Sequence, residues 1–189
     1  MKIAITGGIG SGKSFVAKLL RRRGIEVYDC DDAAKRLMRS SAPLQRSLSA
    51  LIGKDIFENG TLQKKDIATF LLKDRRNKQR LEDIVHPAVA ADFLSSGADW
   101  LESAILFESG FHRRVKFSYI VCVAAPEEVR AQRIMQRDGI DEEKAKQWIA
   151  CQLPQEQMVE QSDFTITNDG KEDLEEQINN ILITLKKED

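Results

Sequence analysis

Residues Gly7 to Ser14 read Gly-Gly-Ile-Gly-Ser-Gly-Lys-Ser, a complete G-x-x-x-x-G-K-S pattern. The apolar segment Ile3-Ala4-Ile5 precedes it, and the helix-like run Phe15 to Leu20 follows. Glycines at 7, 8, 10 and 12 let the chain curl until successive backbone N–H groups face one point, which then attracts an anion. The amides at the start of the following helix add to that attraction. Lys13 is placed to reach the β and γ phosphates of a nucleotide, and the Ser14 hydroxyl suits a magnesium ion. A chance glycine-rich turn would not require a strand before it and a helix after it. The expected ligand is therefore a nucleoside triphosphate, with Gly8, Gly10, Ser11, Gly12, Lys13, Ser14 and Phe15 as the residues around its phosphates.

A chain of 189 residues is long enough for one domain with a sizeable core. Its 30 acidic and 29 basic residues nearly cancel, which argues against a nucleic acid backbone or an anionic membrane as the main partner. Cys30, Cys122 and Cys151 are far apart and lack C-x-x-C spacing, so neither a disulfide framework nor a zinc site is expected. No apolar stretch reaches the length of a membrane span, and a soluble cytoplasmic protein is the expectation.

Short apolar runs at Lys2–Thr6, Glu26–Tyr28, Ser103–Phe107, Ser118–Val123 and Phe164–Thr167 suit buried parallel strands. Helical spacing fills most of the intervals, as in Val16-Leu19-Leu20 and Leu174-Ile178-Ile181-Leu185. Strands alternating with helices predict a single α/β domain over 1–189, with helices on both faces of a sheet. Residues 40–100 break the alternation: they are rich in helix formers without a clear strand, and read as a helical insertion at the carboxyl edge of the sheet, where ligands bind in such folds.

Beyond the loop, four groups of residues invite a role. Asp29, Asp31 and Asp32 crowd the end of the second expected strand. On an extended segment Asp29 and Asp31 would share one side, whereas a helix starting near Asp31 would use one carboxylate as its cap. Arg130, Arg133 and Arg137 fall at helical spacing on one face, either a solvated stripe or a set of phosphate ligands. His86 precedes Pro87, which a helix boundary explains by itself. Glu108 is expected at the end of the third strand, reaching magnesium through water, contacting substrate or starting a helix.

In the same order along the chain, Thr6 to Ser14, Asp29-Cys30-Asp31, Ile84-Val85-His86-Pro87, Ile105-Leu106-Phe107-Glu108, Gln136-Arg137-Asp138 and Ile166-Thr167-Asn168-Asp169-Gly170 resemble the motifs of the dephospho-coenzyme A kinases. The resemblance covers nearly the whole chain. It implies a three-layer α/β/α P-loop kinase with a parallel sheet of about five strands, a helical acceptor-binding insertion at 40–100 and a short lid within 126–160. It also implies transfer of the ATP γ-phosphoryl to the ribose 3′-hydroxyl of dephospho-coenzyme A, with Mg²⁺. Asp31 is then the base, and Lys13, Arg133 and Arg137 stabilise the transferring group. Asp29, Asp31, His86 and Glu108 meet the acceptor, while Asn168 and Gly170 border the adenine.

Three positions depart from the family pattern. Phe15 replaces a small hydroxylic residue, although its backbone N–H could still meet a phosphate. Glu102-Ser103-Ala104 replaces an Asp-x-Pro entry into the third strand, with an expected effect on packing more than on chemistry. Gln157-Met158-Val159, after Gln152-Leu153-Pro154, lacks basic residues common there. A kinase for another small acceptor is the competing enzyme reading. A nucleotide-dependent switch or binding module is the other alternative, though no Asn/Thr-Lys-x-Asp guanine motif is present.

Overall fold

The computed structural model describes residues 1–58 and 61–187, so positions 59–60 of the expected insertion and the last two residues of the expected domain lie outside the described residues. Strand β1 (Ile3–Thr6) leads through the glycine-rich loop into α1 (Lys13–Arg22), and β2 (Val27–Asp29) follows. Helices α2 (Cys30–Ser40) and α3 (Ala42–Ile52), the short strands β3 (Phe57–Glu58) and β4 (Thr61–Leu62), and helices α4 (Lys64–Lys73) and α5 (Arg76–Ser96) come next. The chain then alternates through β5 (Trp100–Glu102), β6 (Tyr119–Ala124), α6 (Glu127–Asp138), α7 (Glu142–Ala150), α8 (Gln155–Glu160), β7 (Phe164–Thr167) and α9 (Leu174–Lys186).

The five longer strands form one sheet in the order β2-β5-β1-β6-β7, and β1 pairs in parallel with both β5 and β6. Every residue of β1 is buried, as a central strand covered on both faces requires. Alternation sends Ile3 and Ile5 to one face, where they meet Val16, Leu19 and Leu20 of α1 and Ile178, Ile181 and Leu185 of α9 in one apolar cluster. Trp100 packs into the same cluster. The helical stripes in the sequence are thus explained by burial. The three-layer α/β expectation holds.

Two compact units emerge: residues 1–28 with 98–189, which carry the loop and most of the sheet, and residues 29–97. In the second, α2, α3 and α4 pack on α5. The small antiparallel pair β3–β4 is an addition to the all-helical reading of this region; two-residue strands are too short to leave a periodic signal.

Two local expectations are corrected. No strand forms over Ser103–Phe107. The third strand in sequence among the large-sheet strands is Trp100–Glu102, and residues 104–110 turn. Leu106 and Phe107 are buried in that turn, held by the Ser109 hydroxyl donating to the Ile105 carbonyl at 2.6 Å. A short apolar run fits a buried turn as well as a strand, and periodicity cannot separate them. Nor does a helix end at His86: α5 continues through Pro87 to Ser96 and stops at Gly97, whose φ is 82°. Val85, Val89, Ala90 and Phe93 bury one face of α5, and that packing on both sides of the proline outweighs the missing N–H.

Candidate active site

The phosphate loop is built from its carbonyl side. Peptide units in such a curl point their N–H groups to one side and their oxygens to the other, so whatever grips the oxygens fixes where the amides aim. Lys13 Nζ donates to the Gly8 carbonyl at 3.2 Å, and Arg130 Nε donates to the Ile9 carbonyl at 3.0 Å. Arg133 Nη1 reaches the carbonyls of Gly10 and Ser11, each at 3.3 Å. Asn168 Nδ2 adds a 2.8 Å bond to the Ser11 carbonyl, and its Oδ1 accepts from Arg133 Nη2 at 3.2 Å. Four consecutive carbonyls are held this way, which leaves the concave side to the amides.

Helix α1 opens on that concave side without a side-chain cap and without an acid in its first turn. By contrast α2, α7 and α9 are capped by Asp29, Asp141 and Asp173. An uncapped N-terminus offers amides and a partial positive charge to an anionic ligand. Gly12 is required here. Its φ is 93°, and a Cβ would lie 2.1 Å from Asn168 Nδ2. At Gly8 the reason is space alone, since a Cβ would lie 2.2 Å from Arg130 Nη2.

Lys13 and Arg130 are both buried. Burial pushes the Cys122 thiol up to about 11, while the positive charges of Lys13 and Arg130 oppose that rise. Burial also lowers the Arg130 guanidinium from its ordinary value, with Glu127 and Glu156 favouring the cation; an arginine remains charged regardless.

Glu102 was missed as a site residue by the sequence reading. The register that pairs Ile5 with Glu102 sets this carboxylate at the end of β5, beside the strand that feeds the loop. Ser14 Oγ donates to Glu102 Oε1 at 2.7 Å. The acid at the strand end is therefore Glu102, and the expectation that its segment mainly concerns packing gives way to a direct contact with the loop. Glu108 instead lies in the following turn, exposed, accepting from the Leu153 N–H at 3.1 Å.

The arginine stripe divides. Arg130 is only 4% exposed and meets the loop with Arg133, whereas Arg137 pairs with the adjacent Asp138 at 2.7 Å on an exposed helix end. Gly139, φ 66°, closes α6. Phe15 exposes half of its surface, and its N–H donates to the Gly12 carbonyl at 3.0 Å, so that amide is already engaged by the helix. Gly170 sits in an open turn with φ 87°. In the same turn the N–H groups of Glu172 and Lys171 hold the Asp169 carboxyl below its usual range.

In the other unit, helix α2 starts at Cys30, beside Asp31, which is the capping alternative of the two arrangements. Asp29 is its N-cap, Oδ1 accepting from the Asp32 N–H at 2.9 Å, so the same-side extended arrangement of Asp29 and Asp31 does not form. Asp31 lies exposed in the first turn, and Asp32 pairs with Lys35. His86 is half-buried in mid-helix.

No cluster of three or more His, Cys, Asp or Glu suited to a metal occurs among the described residues, and no described helix is long and apolar enough to cross a membrane. A magnesium ion of the phosphoryl-transfer type needs only one or two protein oxygens, the rest coming from phosphates and water. Ser14 and Glu102 supply hard oxygen donors of that kind.

A family model for dephospho-CoA kinase matches residues 1–173. A dephospho-CoA kinase of Bacteroides fragilis is 40% identical over 185 residues, covering 94% of this chain and 89% of its own. A crystal structure from Thermus thermophilus superposes with a TM-score of 0.79 at 32% identity, over 98% of this chain and 97% of that one. The fold is also that of a dephospho-CoA kinase from Campylobacter jejuni, with a TM-score of 0.67 at 23% identity and full coverage of both chains.

Proposed function

The chain belongs to the dephospho-CoA kinase family, and from that premise we propose that it transfers the γ-phosphoryl group of ATP to the ribose 3′-hydroxyl of dephospho-CoA, giving CoA and ADP. The observation that carries this reading is the family match over residues 1–173, which spans both the phosphate loop and the unit that follows it.

Lys13 and the loop amides hold the ATP phosphates, and their fixed orientation means that little reorganisation accompanies charge development on the γ-phosphoryl oxygens. Asp31 orients the acceptor hydroxyl and takes its proton as the O–P bond forms. Arg133 stands at the start of α1 through its bonds to the Gly10 and Ser11 carbonyls. Arg137 is tied only to an exposed neighbour, a pairing that costs little to exchange for phosphoryl oxygens. Both arginines offset the developing negative charge. Asn168 and Gly170 border the adenine, and the unit 29–97, with Asp29 and His86, provides the acceptor site. Glu108 also meets the acceptor. A short lid within 126–160 excludes the water that would otherwise compete with the ribose hydroxyl.

Ser14 and Glu102 would hold magnesium. The chemistry it would supply there is neutralisation of the phosphate charge. Glu102→Gln keeps the size of the side chain and removes its charge. The expected result is a roughly 10–100-fold rise in the free Mg²⁺ needed for half-maximal rate, read from rate against Mg²⁺ at fixed ATP. An unchanged Mg²⁺ requirement would confine Glu102 to supporting Ser14. The three cysteines are free, and we place the enzyme in the cytoplasm, where thiols stay reduced.

The function is tested by ADP release from Mg·ATP with dephospho-CoA, AMP, CMP, adenosine or no acceptor, each product being identified by mass. Release that depends on dephospho-CoA, with CoA formed, is the expected outcome. Turnover with another acceptor alone would overturn the substrate. Hydrolysis independent of any acceptor would favour a switch.

A further inference from the structure

Both the backbone N–H and the carbonyl of Ile9 are gripped by side chains from distant elements. Its carbonyl accepts from Arg130 Nε at 3.0 Å, 121 residues along the chain. Its N–H donates to Gln152 Oε1 at 2.6 Å, 143 residues along. These bonds fix the two peptide planes flanking Ile9, and through them the outer bend of the loop from Gly8 to Gly10. Gly8 presents no side chain at the point where Arg130 Nη2 lies, so the guanidinium closes against bare backbone.

Gln152 is itself firmly placed. The next N–H, that of Leu153, donates to Glu108 Oε1 at 3.1 Å, and the side chain of Gln155 accepts from the Ala125 N–H at 2.9 Å, just past the end of β6. The connection between α7 and α8 is thus pinned to the turn after β5, to the phosphate loop and to the end of β6. Arg130, Gln152, Leu153 and Gln155 also share the walls of one cleft of about 360 Å³. Arg130 Nη2 is buried there without a hydrogen-bond partner among the described residues. An unsatisfied donor of this kind is costly, which is consistent with a contact kept for loop geometry.

We infer that Gln152 is a positioning residue for the phosphate loop, acting with Arg130 as a two-sided clamp on Ile9 that sets the loop shape for the nucleotide. The clamp touches neither acceptor nor reacting atoms. Its loss weakens nucleotide binding and leaves acceptor binding alone. The inference rests on the kinase reading for its meaning but not for its test, because nucleotide affinity and loop protection are measured without any acceptor.

The experiment compares wild type with Gln152→Met, which keeps length and removes the acceptor oxygen, and with Gln152→Glu, which restores an acceptor. Affinity for Mg·ADP is measured by calorimetry, and amide exchange is followed on a peptide covering residues 7–13. For Q152M the expectation is about a tenfold loss of affinity, as for one buried hydrogen bond, with at least tenfold faster exchange of the Ile9 amide. KM for dephospho-CoA and kcat should stay within about twofold. Q152E should bind within about threefold of wild type. Unchanged affinity and exchange in Q152M would overturn the inference. So would an equal loss for nucleotide and acceptor, or failure of Q152E to recover binding. Should Q152M not fold, the comparison of Q152E with wild type decides: a deprotected Ile9 amide with unchanged binding, or weakened binding with the Ile9 amide still protected, overturns the clamp. If wild type forms no CoA yet Q152M still loses Mg·ADP affinity, the substrate assignment fails and the clamp stands.

Discussion

Asp31→Asn is expected to bind Mg·ATP within about twofold of wild type and to lower kcat by roughly 10²–10⁴-fold, the range for loss of a positioned general base. The fold should tolerate the change, because the capping of α2 rests on Asp29, whose carboxylate accepts from the Asp32 N–H. Asp31 is exposed in the first helical turn, and asparagine keeps its shape while lacking the basic oxygen. Calorimetry with a non-hydrolysable ATP analogue, set against steady-state rates, separates the outcomes. A fall in nucleotide affinity matching the fall in rate would reassign Asp31 to binding. A rate within tenfold of wild type would remove it from the chemistry.

Lys13→Met should lower kcat/KM for ATP by about 10²–10³-fold or more, comparable to removal of a preorganised donor from a developing anion. The charge is buried at the loop, with Nζ against the Gly8 carbonyl, where a low local dielectric strengthens its interaction with phosphate. Methionine fills the same volume without charge. Arginine at this position is expected not to rescue, since a planar fork needs more room than a point charge. Measuring kcat and KM separately checks whether the loss falls on the transition state as well as on binding; a loss below tenfold would contradict the assignment.

Much of the nucleotide side was legible because the phosphate loop is local. Eight contiguous residues specify the curl, and a strand and a helix flank it within bonding distance along the chain. The apolar spacing of α1 and α9 was readable for a similar reason, since one face of each is buried and the periodicity records it. Ser103–Phe107 and Pro87 show where that reading stops. An apolar run can fill a turn, and a proline can sit within a helix when packing on both sides outweighs one missing hydrogen bond.

The amino-acid sequence by itself determined the phosphate loop, the alternating α/β order and the motifs of the family. Only the tertiary structure decided that Glu102 rather than Glu108 stands at the strand end, that Asp29 caps α2, that Arg130 joins Arg133 beneath the loop, and that Gln152 holds Ile9. The first follows from the limits of β5 and its register with β1, and the second from where α2 begins. The last two are bonds across 121 to 143 residues. They depend on how elements pack, and neither composition nor helical spacing carries that information.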